Sequence, residues 1–207
     1  TIWLISIIPG KEKLEEAHVT FGTTVSLFND KYIVSLFLGI LFIVGIDVGL
    51  NTTIPKLLMD RTGMPLSEAG LGTSLYFAAR TIGSFVGALL LAKLSASRFL
   101  KYSMFVAIVA FVLLLAVPAT WSMFVMIVII GLACANVFSI IFSFALQHKP
   151  ERANEISALM IMGVSGGALI TPLMGVVADG FGQVAGLSIL LLCLLYICLI
   201  SFRIDKK

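Results

Sequence analysis

Asp47, in the stretch "FIVGIDVGLN", and Arg80, in "SLYFAARTIGSFVGALLLA", are opposite charges inside runs that are otherwise apolar, small or neutral polar. An arginine at the centre of a membrane helix costs about 2.5–3.5 kcal/mol on insertion scales, so it requires a compensating partner. Depth selects that partner. Counted from residue 92, the end of its apolar run, Arg80 lies about 18 Å deep at helical rise. Counted from residue 33, the start of the preceding run, Asp47 lies about 21 Å deep. On neighbouring antiparallel helices the two charges meet within one turn, as a pair, direct or through water. Such a pair either fixes helix packing or lines a polar pathway through the membrane.

Other polar side chains share these apolar runs. Asn51 follows Asp47 by four residues and so shares its helical face. Pro55, four further on, cannot donate to the Asn51 carbonyl, and a kink or hinge is expected there. Tyr76 precedes Arg80 by four. Asn136, Ser139, Ser143 and Gln147 form a stripe at helical spacing; these groups can hydrogen-bond a polyol or bond neighbouring helices. Ser165 and Thr171 lie in the fifth run, where "GVSGGALITPLMG" is rich in glycine and Pro172 is expected to kink the helix. The candidate cavity or substrate-binding set is Asp47, Asn51, Tyr76, Arg80, Asn136, Ser139 and Ser143.

These residues need helices to hold them, and the composition says which kind. The chain is 59% hydrophobic and 12% charged, with a mean hydropathy of +1.10. Soluble domains are nearer half apolar and a quarter charged. Runs of about twenty apolar residues cross a bilayer as helices, so the fold class is all-α, a polytopic membrane bundle. Six spans are read at about 33–58, 66–92, 102–118, 121–147, 156–178 and 184–202, separated by turn signals such as "MDRTGMP" and "VPATW". The basic residues cluster at one set of span ends, leaving Lys56 and Arg61 on the other side. The positive-inside rule makes the basic side, and both ends of the chain, cytoplasmic. Basic residues at span ends do not argue for nucleic acid.

The third and sixth runs carry almost nothing polar, and residues 103–117 and 186–200 are expected to face lipid. The pattern is two polar-faced helices and one peripheral helix, repeated, as in transporters built from three-helix repeats. Gly45 and Gly49, Gly83 and Gly87, and Gly163 and Gly167 are each four apart in the polar-faced spans, a spacing that lets backbones approach closely.

Nothing in the sequence points to bond-making chemistry. His18 and His148 lie at span edges without metal-ligand partners, and the three cysteines, Cys134, Cys193 and Cys198, sit in apolar runs without zinc spacing. No enzyme, metal or cofactor is expected. "TIWLISII" running into Pro9 reads as the end of a preceding span, residues 1–8, followed by a cytoplasmic linker, 9–31, and the six-helix body, 32–207.

The quoted motifs carry a resemblance. "FIVGIDVGLN", "RTIGS", "ANVFSIIFSFAL" and "GGALITPLMGVVADGFG" resemble the C-terminal half of a major facilitator superfamily transporter, more narrowly the fucose–galactose–glucose:proton symporter family. The family's V-G-x followed by an acidic or amide residue falls on Asp47. The arginine of its G-R-x-x-G-[ST] falls on Arg80, with Ala79 in place of the first glycine. Its fifth-span pattern runs from Gly166 to Asp179. After the second span "LLLAKLSASRFLK" departs from the superfamily signature, with Lys93 where an aspartate is usual. The resemblance implies half of a sugar transporter of the bacterial inner membrane, moving fucose, glucose or galactose by alternating access with proton symport. Its implied partners are the sugar, the proton, the lipid bilayer and an N-terminal six-span half. Alternatives are an exporter of drugs or other small solutes, and a non-transporting structural subunit.

Overall fold

The computed structural model describes residues 21–204. The expected span end at 1–8, the first part of the expected linker, and His18 lie outside the described residues. A short helix α1 (Phe21–Ser26) and a 3-10 turn, Leu27–Asn29, lead into α2 (Lys31–Thr62). The chain continues through α3 (Leu66–Leu91), α4 (Ala96–Ala116), α5 (Thr120–Cys134), α6 (Val137–His148), α7 (Ala153–Met162), α8 (Gly166–Phe181) and α9 (Gln183–Ile204). Among the described residues six stretches are long and apolar enough to cross a membrane: α2, α3, α4, residues 120–148, residues 150–181 and α9. These match the six spans of the sequence reading, with ends moved by a few residues.

The first and fourth spans form the centre, each with 56% of its most apolar window buried, against 22% for α3. The second span, α3, packs on α2 and α5, whereas α8 packs on α2 and α9, so these two flank the centre. Behind it, α4 packs on α5 and α9. The lipid-facing expectation for the third and sixth spans is refined accordingly. Met104, Ala107, Phe111 and Leu114 of α4 recur at helical spacing and are buried, while Phe105, Val109 and Val112 face outward. An all-apolar sequence does not mark which of its faces meets protein.

Glycine brings the flanking helix α8 onto the central α2. A Cβ on Gly45 would lie 2.5 Å from Ile170 Cγ1, and one on Gly166 would overlap the Leu41 carbonyl oxygen. At Gly166 the α2–α8 seam is therefore backbone against backbone, and at Gly45 a side chain packs directly on the opposing backbone, the close approach that small residues permit. Pro55 does not interrupt α2, which runs through it. The Asn51 carbonyl, deprived of its helical donor, is instead approached by Thr73 Oγ1 of α3 at 3.5 Å. Gly63 ends α2 with φ +70°, and its N–H bonds the Met59 carbonyl, as a left-handed C-terminal residue does.

At the basic end of the bundle, Asp30 starts α2. Its Oδ1 accepts from the Tyr32 N–H at 2.9 Å and the Ile33 N–H at 3.4 Å, while Lys149 Nζ lies 2.7 Å and His148 Nε2 3.1 Å from Oδ2. One carboxylate thus caps the first span and ties it to the end of the fourth. Burial works against its charge, but Lys149, the Tyr32 N–H, His148 and the Ile33 N–H outweigh burial and hold the carboxyl well below its usual range.

Two predictions follow from this packing. Gly166→Ala should lower thermal stability in detergent by about 1–3 kcal/mol, because a backbone carbonyl cannot step aside. Gly70→Ala, where nothing stands within 4 Å, should be neutral or gain up to about 1 kcal/mol from helix propensity. Equal effects at the two sites would show that the seam is loose. The second concerns acid. A carboxyl whose folded pKa is depressed contributes stability above its unfolded value, near 3.8, and loses it as pH falls through the folded one. Asp30→Asn, which keeps a capping side chain, should therefore be less stable than the parent at pH 7, the gap closing below about pH 4. Melting curves between pH 7 and pH 2 test this; a gap unchanged at pH 2 would contradict it.

Candidate functional site

The charges anticipated at matched depth meet. Arg80 Nη1 pairs with Asp47 Oδ1 across the α2–α3 contact. Tyr76, one turn before Arg80 on α3, is fully buried and donates its hydroxyl to the same Asp47 oxygen at 2.6 Å. The i, i+4 spacing of Tyr76 and Arg80 puts both groups on one face of α3, so a single carboxylate collects a guanidinium and a phenol. The pair is mostly enclosed, with 21% of the Arg80 side chain and 13% of the Asp47 side chain accessible. It is neither a dry interior pair nor a surface one. An arginine with donors to spare and an open edge can take a further acceptor.

Asn51 stands one turn beyond Asp47 on α2 with its side chain exposed. Ser139 and Ser143 are exposed on α6, where they line an open depression of about 290 Å³ together with Phe138, Phe142 and Leu146. The two phenylalanine rings stack with centroids 5.9 Å apart. Gln147 donates to Ser143 Oγ at 2.9 Å. Hydroxyls flanked by aromatic faces suit a ligand with both a polar edge and an apolar face.

Asn136 does not join them. The fourth span is interrupted between Cys134 and Val137, and Asn136 has φ −105° and ψ 1°, outside the helical region. Its side chain is buried and donates from Nδ2 to the Gly83 carbonyl of α3 at 2.8 Å. A Cβ on Gly87 would collide with that amide. The expected stripe is therefore split: three members remain on the open face of α6, and Asn136 takes the helix-bonding role in a notch left by Gly83 and Gly87.

One polar group of sites was missed in the sequence. Thr52, Thr53 and Lys56 of α2 face Thr171 and Asp179 of α8 and Gln183 of α9 around a crevice of about 320 Å³. Thr171 Oγ1 is a buried side-chain atom with no hydrogen-bond partner among the described residues. The spacing of Thr52 and Lys56, and the polar residues of the fifth span, carry the signal, but it has meaning only once α2 and α8 are known to be neighbours. Among the described residues no group of three His, Cys, Asp or Glu side chains converges to hold a metal.

Among the described residues the bundle thus has six candidate spans and carries a mid-depth charge pair that is mostly enclosed. The chain belongs to the major facilitator superfamily: the family model matches residues 22–207. It is 25% identical over 190 residues to a putative glucose/galactose transporter of Helicobacter pylori, covering 89% of this chain and 46% of that protein. It is 27% identical over 165 residues to a glucose/galactose transporter of Brucella abortus, covering 77% and 39%. The chain thus spans less than half the length of these curated relatives. Among solved structures, the E. coli fucose:proton symporter FucP superposes with a TM-score of 0.84 at 18% identity, covering 99% of this chain and 52% of that one. A bacterial homologue of the lysosomal transporter Spinster gives 0.62 at 19% identity, covering 87% and 50%. The narrower group indicated by the sequence motifs is the one to which these relatives and FucP point.

The three-residue cluster yields a stability prediction. Removing one partner of a buried pair costs about 3–5 kcal/mol because the other charge is left unpaired; the open edge here should hold the loss near the lower figure. Arg80→Ala and Asp47→Ala should each lower the melting temperature in detergent, and the double variant should lose about 1–3 kcal/mol less than the sum. Tyr76→Phe, which removes one hydrogen bond to a charged acceptor, should cost about 1.5–3 kcal/mol. Strictly additive losses for Arg80 and Asp47 would show that the two charges act separately.

Proposed function

We propose that this chain is the C-terminal half of a secondary active transporter that moves a small sugar, such as fucose, glucose or galactose, by alternating access. The observation that carries this reading is the Asp47–Tyr76–Arg80 cluster, held halfway along its helices and open at one edge. A charge pair kept only for packing gains nothing from an open edge, whereas a pair that must exchange partners with a hydroxylated ligand needs one. Ser139 and Ser143, exposed beside Phe138 and Phe142, and the exposed Asn51 add the neutral donors and acceptors that a sugar requires. The names of the relatives and of FucP agree in substrate class. FucP's description as a proton symporter makes the proton the coupling ion we favour.

Alternating access needs two bodies that move against each other around a site near the bilayer midplane. The chain's span of about half its relatives' length, and the exposed apolar residues along α3 (Leu75, Ile82, Phe85) and α8 (Leu169, Leu173, Val176), agree with a second six-span body packed on the flanking helices. In this reading residues 1–8 end the preceding span, 9–31 form a cytoplasmic linker and 32–207 the transporting half. On the same reading the positive-inside charge bias supports cytoplasmic ends, and the bacterial relatives support an inner-membrane location. The reaction is translocation, with no covalent step.

The test is uptake of labelled glucose, galactose and fucose by the two-body protein in proteoliposomes under an inward proton gradient. Uptake of at least one sugar should be stimulated by the gradient and abolished by Arg80→Ala or Asp47→Ala. Ser139→Ala with Ser143→Ala should raise KM about tenfold, the scale of one or two lost hydrogen bonds. Gradient-independent uptake would remove the proton from the scheme. Extrusion of apolar solutes without sugar uptake would make the protein an exporter.

A further inference from the structure

The geometry points to a phospholipid site on the outer wall of the bundle: an anionic phospholipid lays one acyl chain between α3 and α4 and sets its phosphate against Lys93 and Arg98. Although α3 and α4 are joined by a short turn and both pack on α5, they scarcely touch one another. A crevice of about 360 Å³ runs between them, walled by Val86 and Leu90 on one side and Phe99 and Val106 on the other, with Ile129 and Ala133 in its floor. Gly83 and Gly87 also line it. A second hollow of about 210 Å³, lined by α4 and α5, shares Val106 and Ile129 and carries the groove along α4 to Leu113. From Phe99 to Leu113 is about 21 Å at helical rise, the reach of one extended acyl chain and more than half of a hydrocarbon core of roughly 30 Å.

A polar ligand or a column of water would find almost no partners along this length, because Tyr102 and Ser103 are the only polar side chains lining it and both lie at one end. That end decides the headgroup. Lys93 precedes the lining residue Leu94, and Arg98 precedes Phe99. Both are exposed, and neither is paired with a carboxylate among the described residues. Residues 92–103 hold no Asp or Glu. Lys101 is directed elsewhere, with its Nζ 5.3 Å from the centre of the Phe202 ring on α9. Tyr102, 71% exposed, follows Arg98 by one helical turn on α4, and amphipathic rings favour the membrane interface. Basic residues at the mouth of a pocket between transmembrane helices bind anionic headgroups, each adding about tenfold or less in affinity. An uncharged headgroup would fit the crevice but leave both cations without a counter-charge.

Native mass spectrometry of the chain, purified from nanodiscs containing equal phosphatidylglycerol and phosphatidylcholine, reads the site directly. The parent should retain one phosphatidylglycerol at least tenfold over phosphatidylcholine. Lys93→Gln with Arg98→Gln should level that preference, and Val106→Trp, which fills the crevice, should lose both lipids. Equal retention by the parent, or an unchanged preference in the charge variant, would overturn the headgroup assignment. Should the tryptophan variant misfold, the unaltered protein still decides the groove: phosphatidylglycerol with a photoreactive group midway along its chain should label residues 99–113 and 126–133. Even labelling around the bundle, or loss of that label when a second six-span body is present, would overturn the proposal.

Discussion

A guanidinium cannot sit among acyl chains alone, and much of this structure is arranged around that constraint. Arg80 sits on α3, its counter-charge Asp47 on α2, and the two helices must hold one register for the pair to form. Tyr76 makes that register more specific, because its buried hydroxyl reaches the same carboxylate oxygen from one turn away. A slip of α3 by a single residue would turn both partners by about 100° around the helix and strand three polar groups together. The interaction is therefore less a source of net stability than a means of excluding other packings.

Packing supports this through absence of side chains. Gly131 lets α5 approach so closely that a Cβ there would stand 2.6 Å from the Tyr76 carbonyl. The same economy appears on the other flank, where Gly45, Gly166 and Gly167 let α8 lie on α2. In a bilayer the hydrophobic effect does little to distinguish protein neighbours from lipid ones, so close contact and hydrogen bonds decide which helices associate. The first span is central because both flanking helices find such surfaces on it, and the fourth because α3 packs on it as well.

How much of this could be read from the sequence depended on whether the signal was one-dimensional. Span number and the meeting of Asp47 with Arg80 were legible because both follow from counting residues along rods of known rise. The four-residue spacing of Tyr76 and Arg80 was equally visible, though the shared oxygen was not. Asn136 went elsewhere because its assignment assumed an unbroken helix, and the interruption at residues 135–136 turns it away from Ser139 and Ser143. The crevice around Thr171 could not be read, since its walls come from three helices whose adjacency no single span encodes. The buried face of α4 escaped for a different reason: in a run of Val, Ala, Phe and Leu, residues that face lipid and residues that face protein look alike.

The notch between α3 and the interrupted fourth span constrains how the sequence can drift. Gly83 supplies the carbonyl that Asn136 bonds, and Gly87 leaves the space that its amide fills. A larger residue at position 87 cannot be accepted while the amide is present, yet shortening Asn136 first leaves the Gly83 carbonyl without its cross-helix donor and opens a void. The positions are locked by order of events: position 136 must change before position 87 can. Two glycines one helical turn apart and an asparagine about fifty positions further along the chain are thus constrained as one unit.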